Sequence, residues 1–105
     1  MSLFDPPAIS VRKHLPSQLH AEFDELSTQV EAAVPAHLNA TGKGLVVGYV
    51  MAAWGLAKHL NQHITLSEAD GTYLSNMGRN CAARLGRNVD VATSMTNHLA
   101  KKGML

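Results

Sequence analysis

The side chains best able to make directed polar contacts from one surface gather at the end of the chain, in GRNCAARLGRNVDVATSMTNHLAKKGML from Gly78 to Leu105. A helix expected over 89 to 102 puts Asp90, Thr93, Ser94, Asn97 and Lys101 together on one side. Short hydroxyl, amide and carboxylate groups of this kind hydrogen-bond the edges of bases in a major groove. Arg84, Arg87, Asn88 and Lys102, with Arg79, lie close enough in sequence for contacts to phosphates and neighbouring groups, the chemistry that fixes a protein's register on a duplex. Ala92, Met95 and Leu99 recur at i, i+3 and i+7 on the opposite side and face inward.

That surface needs elements to hold it. A short helix over 79 to 86 is expected before the turn. Gly86 stands where the chain leaves this helix and where a positive φ is free only to glycine. Asn88 is a good N-cap for the helix that follows. Ala82 is small enough to let the two helices pass closely. The outline is a helix-turn-helix, completed by a third helix over 66 to 77 if Asn76 to Gly78 break the chain.

On Ala82, Leu85-Gly86, Ala92, Met95, Leu99 and Lys102-Gly103-Met104-Leu105, the segment resembles the helix-turn-helix of winged-helix repressors of the MarR type. Arg87 and Cys81 depart from that family's usual apolar residues, and the chain ends at Leu105, before the β-hairpin wing. The resemblance implies a wingless variant, double-stranded DNA as partner, and contacts from Arg84, Arg87, Asn88, Asp90, Thr93, Ser94, Asn97, Lys101 and Lys102. The competing reading of the same residues is one more amphipathic helix of a bundle, with its polar side merely solvated.

Charge speaks both ways. The whole chain carries a formal +1, small for a protein that lives on nucleic acid. From Arg79 to Leu105, however, five Lys or Arg face one acid, whereas Pro16 to Pro35 holds four acids and no Lys or Arg. The 46% apolar and 16% charged composition over 105 residues is that of one folded domain. A single cysteine, Cys81, allows no intrachain disulfide and fits a reducing, cytoplasmic setting. It lies in an apolar-periodic segment and reads as a core residue. No secretory signal is expected, and the uncharged run from Gly44 to Ala57 is shorter than the about 20 residues that cross a bilayer.

Residues 1 to 16 carry Pro6, Pro7 and Pro16 and read as an extended arm, loosely ordered or packed across a partner, with Ile9 and Val11 as a brief edge strand. Residues 17 to 105 read as one helical domain. Leu19, Phe23, Leu26, Val30 and Val34 form a near-heptad seam on a helix over 17 to 34, to be packed within the chain or against a second subunit. Pro35 to Lys43 is a connector, and its TGKG lacks the leading glycine and the Ser or Thr of a phosphate loop.

The helix over 44 to 63 is apolar around most of its circumference, so it should be central. Its small residues Gly44, Gly48, Ala52 and Gly55 admit a close neighbour, either another helix or a copy of itself across a two-fold axis. His59 and His63 share a side but bring no acid or third ligand, so no metal is expected. Thr65 and Glu68 suggest a capping box opening the next helix near Leu66.

No catalytic constellation or dinucleotide fingerprint is visible, and neither an enzyme nor a cofactor is expected. The expectation is therefore all-α: a compact bundle of four to five helices near 17 to 34, 44 to 63, 66 to 77, 79 to 86 and 89 to 102, ending in a helix-turn-helix-like pair. The functional expectation is a small cytoplasmic DNA-binding transcription regulator, homodimeric through 44 to 63 or 17 to 34, with no membrane contact. The alternative is a helical interaction protein such as an adaptor, an inhibitor or a secretion or conjugation accessory factor.

Overall fold

The longest apolar helix is the one every other helix rests on. In the computed structural model, which describes residues 6–104, the α-helices are α1 (Pro7–Lys13), α2 (His20–Ala33), α3 (Ala40–Leu60), α4 (Glu68–Leu85) and α5 (Val89–Lys101). Short 3-10 turns at Ser17–Leu19 and Gly86–Asn88 lead into α2 and α5. Among the described residues there is no strand, and no helix is long and apolar enough to cross a membrane. The chain is an all-α bundle in which α1, α2, α4 and α5 all pack on α3. Val46, Val50, Met51, Ala52 and Trp54 of α3 are essentially sealed from water.

The small residues of α3 are used within the chain. A Cβ on Gly48 would collide with Pro7 Cβ and lie 3.2 Å from Cys81 Sγ, and one on Gly55 would lie 2.8 Å from Leu15 Cδ2 and 3.3 Å from Leu74 Cδ1. α1 with Leu15, and α4, therefore both close on this one stripe. The α2 seam is likewise spent internally, since Leu19, Phe23, Leu26, Val30 and Val34 are all buried. The seam of α2 and the small-residue stripe of α3, the two faces expected to pair copies, are thus packed against the chain's own helices.

The arm is a correction. Residues 1–5 lie outside the described residues, but Pro7–Lys13 is helical and not extended. Pro7 sits at the first helical position, where its missing N–H costs nothing and its fixed φ suits the helix. Ala8, Val11 and Leu15 then share a face at i, i+3 and i+7; Val11 and Leu15 are buried and Ala8 packs on the core.

Polar contacts tie the same segment down. Arg12 donates to both carboxylate oxygens of Asp24 at 2.8 and 3.0 Å, and His14 Nδ1 lies 2.9 Å from Asp70 Oδ1. The His14 ring stacks on Tyr73 with centroids 3.6 Å apart, while His20 Nε2 is within 3.0 and 3.1 Å of the Arg12 and Leu15 carbonyl oxygens.

Helix boundaries follow their caps. Asn39 Oδ1 accepts from Gly42 N–H at 2.8 Å, so α3 starts at Ala40 and TGKG forms its first turns. It ends at Leu60, because Gln62 takes φ +63° and His63 N–H returns to the Lys58 carbonyl at 2.9 Å. Thr65 does not cap α4. Ser67 does, accepting from Asp70 N–H at 3.1 Å, because Ile64 and Leu66 are held in the core on the way in. His59 Nδ1 accepts from Leu66 N–H at 3.1 Å, which gives this histidine a role in closing the loop.

Two predictions follow from this packing. Gly48→Ala should destabilise by about 1–3 kcal/mol through overpacking despite its better helix propensity, whereas Gly78→Ala, whose Cβ meets nothing within 4 Å, should stabilise by up to about 1 kcal/mol. Urea unfolding of both variants checks the pair; equal shifts would contradict the close approach at Gly48. Secondly, Asp24 and Asp70 are held below the usual carboxylate range, chiefly by the hydrogen bonds from Arg12 and His14 respectively. Their contribution is present above that range and lost as pH falls through it. The double variant Asp24→Asn/Asp70→Asn should therefore lose less stability between neutral pH and pH ~3 than the parent, as read by denaturation at each pH.

Candidate functional site

The C-terminal pair keeps the turn but not the break. Gly86 has φ +58° and ends α4, as a glycine at that place permits. Gly78 lies inside α4, which runs unbroken from Glu68 to Leu85; the expected helices 66 to 77 and 79 to 86 are one. A glycine within a helix costs about 1 kcal/mol, which the burial of Leu74, Cys81 and Leu85 along the same helix outweighs. The three-helix core that the helix-turn-helix expectation needed is consequently not formed. Ala82 is half-buried in a recess with Tyr49 and Ala53 of α3, not at an α4–α5 crossing.

Asn88 also departs from its expected role. Its φ −73° and ψ −4° are helical and its side chain makes no cap hydrogen bond. The 3-10 turn feeds straight into α5, and Val89 N–H bonds the Gly86 carbonyl, so no extended capping residue is required.

Along α5 the inward stripe lies where its spacing put it: Ala92 and Leu99 are buried and Met95 is half-buried. Arg84, Arg87, Asp90, Thr93, Ser94, Asn97, Lys101 and Lys102 are exposed, and Asn88 is half-buried. Thr96 Oγ1 folds back to donate to the Ala92 carbonyl at 2.9 Å. The closing Lys102-Gly103-Met104 is a helix stop: Gly103 takes φ +74°, Met104 N–H bonds the Leu99 carbonyl and Gly103 N–H the Ala100 carbonyl, both at 3.0 Å. This is a Schellman motif, and it turns Met104 back against the core. Leu105 lies outside the described residues.

No family model, characterised protein or solved structure matches this chain.

What the spacing of single helices did not reveal is a groove between α2 and α5. Its floor is Leu26 and Val30 from α2 with Met95 and Leu99 from α5, enclosing about 300 Å3. Ala33 and Ser94 are small and keep it open; Gln29, His98 and Lys102 form its polar edge. An adjoining recess of about 320 Å3 shares Leu26 and Gln29 and is lined further by Trp54, Met104, Glu22, Glu25 and Lys58. There Lys58 Nζ lies 3.4 Å from Glu22 Oε2 and 5.6 Å from the centre of the Trp54 ring, which Phe23 meets edge-on at 6.2 Å. In sequence the only trace is Ala33, an exposed small residue one turn past Val30 of the seam.

Cys81 is no reactive group. Its thiol is buried beside Gly48, 3.9 Å from Met77 Sδ, and burial pushes its pKa up, away from the nucleophilic thiolate.

Proposed function

We propose that this chain is a helical interaction module whose α2–α5 groove receives a helix of a partner protein. The observation that supports this reading is the groove itself: aliphatic side chains from two helices line an open trough bordered by small residues. Such a trough suits the apolar face of an amphipathic helix, which anchors residues at i, i+3 or i+4 and i+7. Each anchor of leucine size withdrawn from water there is worth about 1.5–3 kcal/mol. A second copy of this chain is a poor occupant, because its own apolar seam and glycine stripe are already buried.

Selection of helical peptides displayed on phage tests the reading. Bound peptides should carry apolar residues at helical spacing. Ala33→Arg or Met95→Glu should reduce their binding at least tenfold, while Ala83→Arg on the exposed side of α4 leaves it unchanged. Peptides indifferent to both groove variants would sink the proposal.

One observation favours a second reading, DNA binding by the C-terminal end. Arg84, Arg87, Lys101 and Lys102 are all exposed and have no ion-pair partner among the described residues, and the polar face of α5 lies open beside them. The MarR resemblance and the proposal of a transcription regulator rest on this face. A gel-shift titration across salt should then give an affinity falling with a slope of about −0.9 per phosphate contacted. Asn97→Ala should relax sequence preference, and Lys101→Ala should weaken all duplexes alike. Absence of retardation at low salt removes this reading and leaves the groove untouched.

A further inference from the structure

A second opening shares no residue with the α2–α5 groove and is lined by α3 and α4 alone. This recess of about 400 Å3 runs along Tyr49, Ala52, Ala53 and Leu56 of α3 and Gly78 and Ala82 of α4, and the small residues among them leave it open. Tyr49 to Leu56 is about two turns of helix, or ~10 Å. The volume falls at the lower end of the roughly 300–1,000 Å3 typical of small-molecule sites. A more polar recess of about 460 Å3 adjoins it, and Leu56, Ser75 and Arg79 line both.

Ser75 and Arg79 thus stand at the join, one turn apart on the same side of α4. Arg79 is exposed and has no ion-pair partner among the described residues. Ser75 is half-buried and its hydroxyl makes no hydrogen bond among the described residues, whereas Ser27, Thr28 and Thr96 turn theirs onto carbonyls of their own helices. A cation and a hydroxyl donor are therefore left free beside an apolar surface. The other charged group along this trough, Glu68, lies about 16 Å from Arg79 along α4 and is not paired with it.

We infer that the join binds the carboxylate of a free aliphatic acid. Its two oxygens accept from the planar guanidinium of Arg79, whose fork fits a carboxylate, and Ser75 donates to one of them. The alkyl chain then lies along Ala52, Ala53, Gly78 and Ala82 toward Tyr49. One guanidinium balances one negative charge, which favours a carboxylate over a dianionic phosphate, and Glu68 opposes the extra charge further. A methylene fully withdrawn from water strengthens binding about fourfold; half covered in an open recess, it contributes about twofold.

Titration of the intact chain with octanoate, followed by backbone amide resonances, tests the site. Ala52, Ala53, Leu56, Gly78 and Ala82 should shift and saturate. Hexanoate, two methylenes shorter, should bind about fourfold more weakly, and octylamine and octyl phosphate should both bind more weakly than octanoate. Arg79→Gln should weaken octanoate about three- to tenfold. Gly78→Leu, whose side chain starts in open space and so leaves α4 folded, should fill the recess and weaken it at least as much. Octylamine or octyl phosphate binding as tightly as octanoate, or Arg79→Gln binding like the parent, overturns the carboxylate assignment. Hexanoate equal to octanoate, Gly78→Leu binding like the parent, shifts confined to the α2–α5 groove, or no saturable shift at all overturns the site.

Discussion

The fold depends on how closely two helices approach the backbone of α3. At Gly48 the space a methyl group would need is taken by Pro7 and approached by Cys81, so α1 and α4 are drawn to the same flank of one helix. Gly55 repeats the arrangement about two turns later with Leu15 and Leu74. Close contact on that flank is what makes α1 a folded element and not an arm. It also holds Cys81 where its thiol is unreactive, and it anchors α4 on both sides of Gly78.

With that flank closed, α2 and α5 share the rest of α3. Phe23 and Leu26 reach the neighbourhood of Trp54, while Ala92 and Leu99 bring α5 onto the core. The two helices do not seal the line between them. Ala33 and Ser94 are too short to meet across it, and the Schellman turn at Gly103 brings Met104 to the Trp54 recess without filling the groove beyond. The opening is therefore a consequence of side-chain size along two otherwise well-packed helices.

Much of this was legible in the sequence where one helix carried its own pattern. The α2 seam, the enclosed α3 and the Ala92-Met95-Leu99 stripe all follow from recurrence at three and four residues, and the all-α class follows from them. Glycine was where legibility ended. Gly48 accommodates a neighbour, Gly78 merely tolerates a helix, and Gly86 and Gly103 take positive φ; residue type alone does not tell these apart. The two expectations that differ most from the structure are the arm, which rested on its prolines, and the separate helices 66 to 77 and 79 to 86, which rested on a break that Gly78 permits but does not compel. Pro7 stands at the one helical position where proline is favoured, and the roughly 1 kcal/mol against Gly78 is small beside three buried side chains. The same limit applied to the site. Exposure of the polar face of α5 could be read from one helix, but the groove joins residues 26 to 33 with residues 94 to 102, and nothing local links them.

The two uses of α5 differ in what holds them. Contacts from Arg84, Arg87, Lys101 and Lys102 to phosphates would be made at exposed side chains, screened by salt over about 8–10 Å, with Asp90 repelling phosphate from the same face. The groove offers aliphatic surface from two helices, and what a partner's apolar side chain gains there is not weakened by the screening that salt imposes on exposed charges. Lys102 and Ser94 border the groove as well as belonging to the polar set, so part of what resembles a base-reading face also lies on the rim of an apolar trough. The Lys102-Gly103-Met104 element of the resemblance has a sufficient cause in ending the helix. Once those residues are accounted for, the remaining polar side is Asp90, Thr93, Asn97 and Lys101, a mixed and nearly neutral strip of the kind that solvated helices carry. The weight of the physical argument therefore moves from the outward side of α5 to its border with α2.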